Sequence, residues 1–126
     1  MTSRRRRDER GSATIDMAIW LPVLFGVVFL TMQAGLYHYG RSAALAIATA
    51  GARAGAVEHG TNTTCHQAAH ALLAKAGDAL TGGSITCDRG PTTVTVTVTG
   101  TTLSVIPLVV PATTQTVTLP VERLTR

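Results

Sequence analysis

Charge is scarce in this chain once the first ten residues are passed. Five of the eleven basic side chains, Arg4, Arg5, Arg6, Arg7 and Arg10, stand at the N-terminus; beyond Met17 six basic and four acidic groups nearly cancel. The net charge of +4 therefore belongs to a short stub. A stub of this kind is not the basic stripe that neutralises phosphates, so no nucleic-acid partner is expected. Placed before an apolar run, it orients membrane insertion instead. Aromatic residues make up only 4% of the chain, which leaves Leu, Val, Ile and Ala to form any lipid-facing surface. Cysteine is confined to Cys65 and Cys87, too few for a structural zinc site without help from histidine. There is no glycine-rich phosphate loop, no nucleophile elbow and no paired acid and base beyond the hydrophobic run. The expectation is a non-enzymatic protein with no cofactor, no metal and no small-molecule substrate.

What the chain does contain is apolar residues, 45% of the total, gathered mostly between Met17 and Val57. At 126 residues there is room for one small domain and an appendage. From Met17 to Gly40 no residue is charged. As a helix this run rises about 36 Å, enough to cross a hydrocarbon core of roughly 30 Å with some tilt. Trp20 lies near its start, Tyr37 and Tyr39 near its end, where headgroup-level anchors belong, and Arg41 closes it. The reading is a single pass through the cytoplasmic (inner) membrane, the arginine-rich end inside and the C-terminal domain outside. Pro22 removes one backbone donor within the span and is expected to kink it. Asp16 stands at the membrane threshold, where a carboxylate needs a cation or the interface.

Ser42–Ala56 is almost entirely Ala and Gly, and the helix is expected to continue through it. Gly51 and Gly55 form a small-xxx-small pair suited to close helix packing. Two occupants of that face are open, the chain's own C-terminal domain or the helices of other subunits. A second helix is predicted from about Thr64 to Leu80, ended by Gly82-Gly83. Strands are predicted at Thr92–Thr99, where Thr and Val alternate, at Leu103–Val110 despite Pro107, and at Thr113–Leu119. The fold class is thus α+β: a long N-terminal transmembrane helix, a second short helix and a small three-stranded antiparallel sheet. The divisions are 1–11, a basic cytoplasmic leader expected to be disordered or to lie at the lipid surface; 12–57, the transmembrane and extended helix; and 58–126, the extracytoplasmic domain.

Gly11-Ser12-Ala13-Thr14-Ile15-Asp16 directly precedes the apolar run, with a carboxylate five residues after the glycine. A basic leader, a glycine and then an apolar helix opening on a carboxylate is the pattern of a type IV prepilin. Together with Leu21-Pro22-Val23-Leu24 and the closing Gly51-Ala52-Arg53-Ala54, it makes Gly11–Gly55 resemble the TadE-like family, pseudopilin components of tight-adherence pilus assembly. The resemblance covers about a third of the chain. It implies cleavage after Gly11 by a prepilin peptidase, a new N-terminus at Ser12, and a role beside other pilin-like subunits and pilus assembly proteins. It also implies that Asp16, one methylene shorter than the family's usual glutamate, pairs with the freed amino group.

If the far side is oxidising, Cys65 and Cys87 can form one disulfide, which would stabilise by about 3 kcal/mol on the chain-entropy model. Free buried thiols and an intermolecular link are the alternatives. His66 and His70 share a helix face but no HExxH pattern surrounds them, so they read as polar surface residues. Asn62-Thr63-Thr64 fits a glycosylation sequon, and Ser3-Arg4-Arg5 faintly resembles a twin-arginine signal that Asp8 and Glu9 spoil. Two rival functions follow from the same features. One is an unprocessed, membrane-tethered domain that binds a partner through its sheet. The other is a secreted protein whose hydrophobic segment is a signal peptide, although that segment is about twice the usual apolar core.

Overall fold

The structure, a computed structural model, describes residues 5–124, with side chains from Gly11 onward. The first four residues of the expected leader lie outside the described residues. The chain falls into two compact units, one ending at Met32 and the other beginning at Gln33. Helix α1 (Arg5–Ala56) contributes to both. It starts within the basic stub and continues through Pro22 without interruption.

The first unit is helix alone, and every side chain from Gly11 to Met32 is exposed. A run of this composition can satisfy its own backbone only as a helix when no water is at hand. The second unit carries the core. It comprises α1 from Gln33, α2 (Asn62–Ala76), a single 3₁₀ turn at Gly77–Ala79, and strands β1 (Leu80–Arg89), β2 (Thr93–Thr102) and β3 (Ala112–Pro120). The sheet is antiparallel in the order β1-β2-β3.

The part of α1 in this unit buries Gly40, Ala44, Ile47, Ala48, Gly51, Ala52, Gly55 and Ala56. Steps of three and four place these on one face of the helix. All but Ile47 are Gly or Ala, so α2 and the sheet come close to the helix backbone. Opposite them lie Cys65 and Ala69 of α2 and Leu80, Val94, Val96 and Val98 of the sheet. The Val residues of β2 point inward as their period of two requires, and Ile85, Cys87, Val117 and Leu119 flank them from the neighbouring strands. On the outer face the intervening threonines pair across β2 and β3, Thr95 with Thr118, Thr97 with Thr116 and Thr99 with Thr114, their hydroxyls 3.2–3.4 Å apart.

The α+β class and the three-stranded antiparallel sheet are as expected, but one strand is a different segment. Gly82-Gly83 does not end the second helix; it sits in β1, where the register shifts between Thr81 and Ser84 and Gly82 takes a φ of +61°. Glycine permits the positive φ of such a bulge. The helix stops earlier, at Ala76, and Gly77 (φ +58°) turns the chain. Leu103–Val110, expected as a strand, is instead part of the β2–β3 loop. Pro107 and Pro111 withhold ladder donors there, and Leu108 adopts a φ of +68°, so pairing cannot continue. At its N-terminus α2 is held by a capping box: Thr61 Oγ1 accepts from the Thr64 amide and Thr64 Oγ1 from the Thr61 amide.

The last carbonyls of a helix lack partners within it. At the end of α1 they are met from four different segments. Thr64 Oγ1 donates to Ala54 O (3.3 Å), Arg89 Nε to Gly55 O (2.8 Å), the Glu122 amide to Ala56 O (2.8 Å) and the Gly60 amide to Val57 O (2.8 Å). Arg89 Nη2 also reaches Val57 O and Glu58 O at 3.4 Å. A guanidinium here suits the partial negative charge of a helix C-terminus. Arg89→Ala should cost about 1.5–3 kcal/mol, the range for bonds from a charged donor. Arg89→Lys should recover little, because one ammonium cannot span the same carbonyls. Thermal unfolding of the full chain in detergent checks this, and an unmoved midpoint for the alanine variant would refute the capping role.

Candidate functional site

Among the described residues one helical stretch, Gly11–Ala56, is long and apolar enough to cross a membrane. Its large side chains are open to the surroundings: Trp20 is 68% exposed, Leu24 61%, Phe25 55% and Leu30 63%. An apolar surface of this extent is untenable in water and marks a buried interface or a bilayer. One long apolar N-terminal helix is what a single-pass membrane protein has, by length and composition. Tyr39 is exposed and Tyr37 half-buried, at the end of the uncharged run where interfacial aromatics belong.

Gly11, Ser12 and Asp16 all lie within α1 and are exposed. A Cβ at Gly11 would meet nothing within 4 Å, so glycine is not there for packing. Ser12 and Asp16 are four residues apart and share a helix face. Glycine is also the weakest helix former short of proline, at a cost of about 1 kcal/mol against alanine, so the backbone opens most easily at that point. Pro22 is likewise on the exposed part of the helix.

Gly51 and Gly55 have a different setting. A Cβ at Gly51 would stand 3.2 Å from Ala69 Cβ and 3.3 Å from Cys65 Sγ; one at Gly55 would stand 3.1 Å from Val94 Cγ1. Both glycines therefore serve packing within the chain, against α2 and β2. Of the two occupants open from the sequence, the chain's own domain is the one seated there. Gly40, which sequence reasoning passed over, has the tightest place of the series, with an added Cβ overlapping Thr102 and lying 2.9 Å from Ala79 O. Its signal was present in the spacing, since Gly40, Ala44, Ile47, Gly51 and Gly55 follow helical steps.

Cys65 and Cys87 are joined in a disulfide, Cα atoms 6.3 Å apart, tying α2 to β1. His66 and His70 stack with ring centroids 6.0 Å apart, but among the described residues no group of three His, Cys, Asp or Glu is placed to hold a metal. A groove of about 320 Å³ between α1 and α2 is lined by small and apolar residues with Lys75 at its rim. A second, of about 500 Å³, gathers Glu58, Arg89, Glu122 and Arg123 at the end of α1. Its arginines are engaged structurally, Arg89 with the helix carbonyls and Arg123 with Pro91 O.

The features that stand out are thus a lipid-compatible helix, an exposed Gly-Ser and carboxylate sequence in its N-terminal part, and a small cross-linked domain. The sequence model of the TadE-like protein family matches residues 11–53. This family is associated with tight-adherence pilus assembly, and the matched segment runs from Gly11 through the apolar span to Arg53. No curated protein and no solved structure matches the chain.

Proposed function

We propose that this chain is a non-enzymatic, pseudopilin-like subunit in the assembly of a tight-adherence pilus or a related secretion machine. The observation that carries this reading is the family match, which begins at Gly11, the residue before the proposed cut. The N-terminal arginines hold that end in the cytoplasm and the domain folds outside the inner membrane. A prepilin peptidase cuts after Gly11, removing the basic leader. The amino group created at Ser12 then lies one helical turn from the Asp16 carboxylate, which it neutralises at the membrane threshold or offers to a neighbouring subunit. Partners are the membrane, the peptidase, other pilin-like subunits and pilus assembly proteins. Small molecules and nucleic acids have no part in this mechanism.

The test is the intact mass and N-terminal sequence of membrane-extracted protein from cells with and without the peptidase. A peptidase-dependent start at Ser12, abolished by Gly11→Val, is the expected result. Asp16→Asn should be cut at the same bond yet co-purify poorly with other pilin-like subunits. A start at Met1 or Thr2 in both strains would leave a tethered, unprocessed domain. A start beyond Tyr39 would mean a secreted protein.

A further inference from the structure

The β2–β3 loop contains Leu103-Ser104-Val105-Ile106-Pro107-Leu108-Val109-Val110, without a charge and with one hydroxyl. Its neck is closed by Thr102, whose amide and hydroxyl both donate to Pro111 O (2.9 and 3.3 Å). Thr102 packs on Gly40, at the end of the uncharged helical run. From that level the loop reaches back along α1 to Gln33. The Gln33 Oε1 accepts from the Val105 amide (2.9 Å) and from the Ser104 hydroxyl (3.1 Å). Gln33 precedes Gly40 by seven residues, about 10 Å of helix rise toward the apolar span. The loop thus lies beside a stretch of helix that, on the single-pass reading, is already within the membrane.

Four of its apolar side chains are turned outward, while Val105 and Ile106 are half-buried. Leu108 is fully exposed at a φ of +68°, Val110 is 74% exposed, and Val109 and Leu103 are 43% and 40% exposed. A β-domain gains nothing by presenting this cluster to water, least of all at a backbone conformation that L-residues rarely adopt. Part of its backbone is satisfied within the chain. The amides of Val105, Ile106 and Val109 are bonded to Gln33 Oε1, Ser104 Oγ and Ile106 O, and Pro107 and Pro111 have none to satisfy. Irregular backbone is tolerated at the headgroup and acyl boundary, though not at the bilayer centre.

We infer that the 103–110 loop is a second membrane contact, dipping its apolar side chains into the outer leaflet beside α1 and fixing the domain against the lipid surface. This rests on the single-pass reading, and it names lipid as the occupant because the loop is pinned to the membrane-entering stretch of the helix itself.

The test uses the full chain in phosphatidylcholine vesicles, some carrying bromine on an acyl chain near its glycerol end. Trp20, the native tryptophan, reports on the span. In a Trp20→Phe background, L108W and V110W report on the loop and T116W on the outer sheet face. The expected result is quenching of the wild-type, L108W and V110W indoles and none for T116W. Quenching of wild type with both loop variants unquenched would overturn the loop contact while leaving the span intact. Loss of quenching in wild type as well would refute the span itself. Loop emission that shifts to the blue only as protein density rises, without quenching, would overturn lipid in favour of a second copy of the chain.

Discussion

A chain with Cys65 and Cys87 both replaced by alanine should unfold about 3 kcal/mol more easily than wild type, the largest single loss we expect. The bond spans a sequence separation of 22, from the first turn of α2 to near the end of β1. Without it, the unfolded ensemble regains that loop's freedom, and a domain of this size has a small apolar core to set against the gain. Cys65 is fully buried beneath Gly51, so alanine is a better replacement than serine, which would bring an unpaired hydroxyl into the core. The measurement is denaturant unfolding of the full chain in detergent, comparing the variant with disulfide-bonded wild type and, as a control, with wild type under reductant. The variant and reduced wild type should agree closely, since both lose the link and differ only in the packing of two sulfurs. A loss below about 0.5 kcal/mol would mean that α2 is held to the sheet by packing alone, at the low end of what disulfides contribute.

The second large effect contrasts two glycines of one helix. Gly40→Ala should destabilise by about 1–3 kcal/mol, the range for overpacking a tight site. The new methyl would meet Thr102, itself buried, and the Ala79 carbonyl, which is backbone and has little room to yield. Gly35→Ala should do the reverse. Nothing lies within 4 Å of a Cβ there, so the change is left with the helix propensity gain of up to about 1 kcal/mol. The sign difference isolates sterics from propensity. Equal and positive shifts in thermal midpoint would show that Thr102 does not in fact rest on the helix backbone.

Particular elements explain what could be read in advance. The apolar span is legible because excluding charge from a run that long leaves few alternatives to a membrane. The alternation in Thr93–Thr99 is legible because one buried face imposes a period of two. β1 was hidden because Gly-Gly serves equally as a helix stop and as a bulge, and the choice depends on pairing with β2. The loop after β2 reads as a strand because its Leu, Val and Ile content is that of a strand and outweighs Pro107. Arg89 could not be seen as a helix cap from sequence, since its carbonyl partners lie 31 to 34 residues earlier. Gly11, Ser12 and Asp16 are legible through the family resemblance that their order and spacing carry. All three lie exposed along one helix.

The way α1 ends also bears on mechanics. Its final carbonyls are held at once by Thr64 of α2, Arg89 of β1, the Gly60 loop and the amide of Glu122 just after β3. A pull transmitted along the helix therefore enters the domain through several bonds loaded in parallel, rather than through one that must yield before the next is stressed. With the first and last strands both fastened to the same helical end, tension is distributed across the sheet instead of unravelling it from one edge.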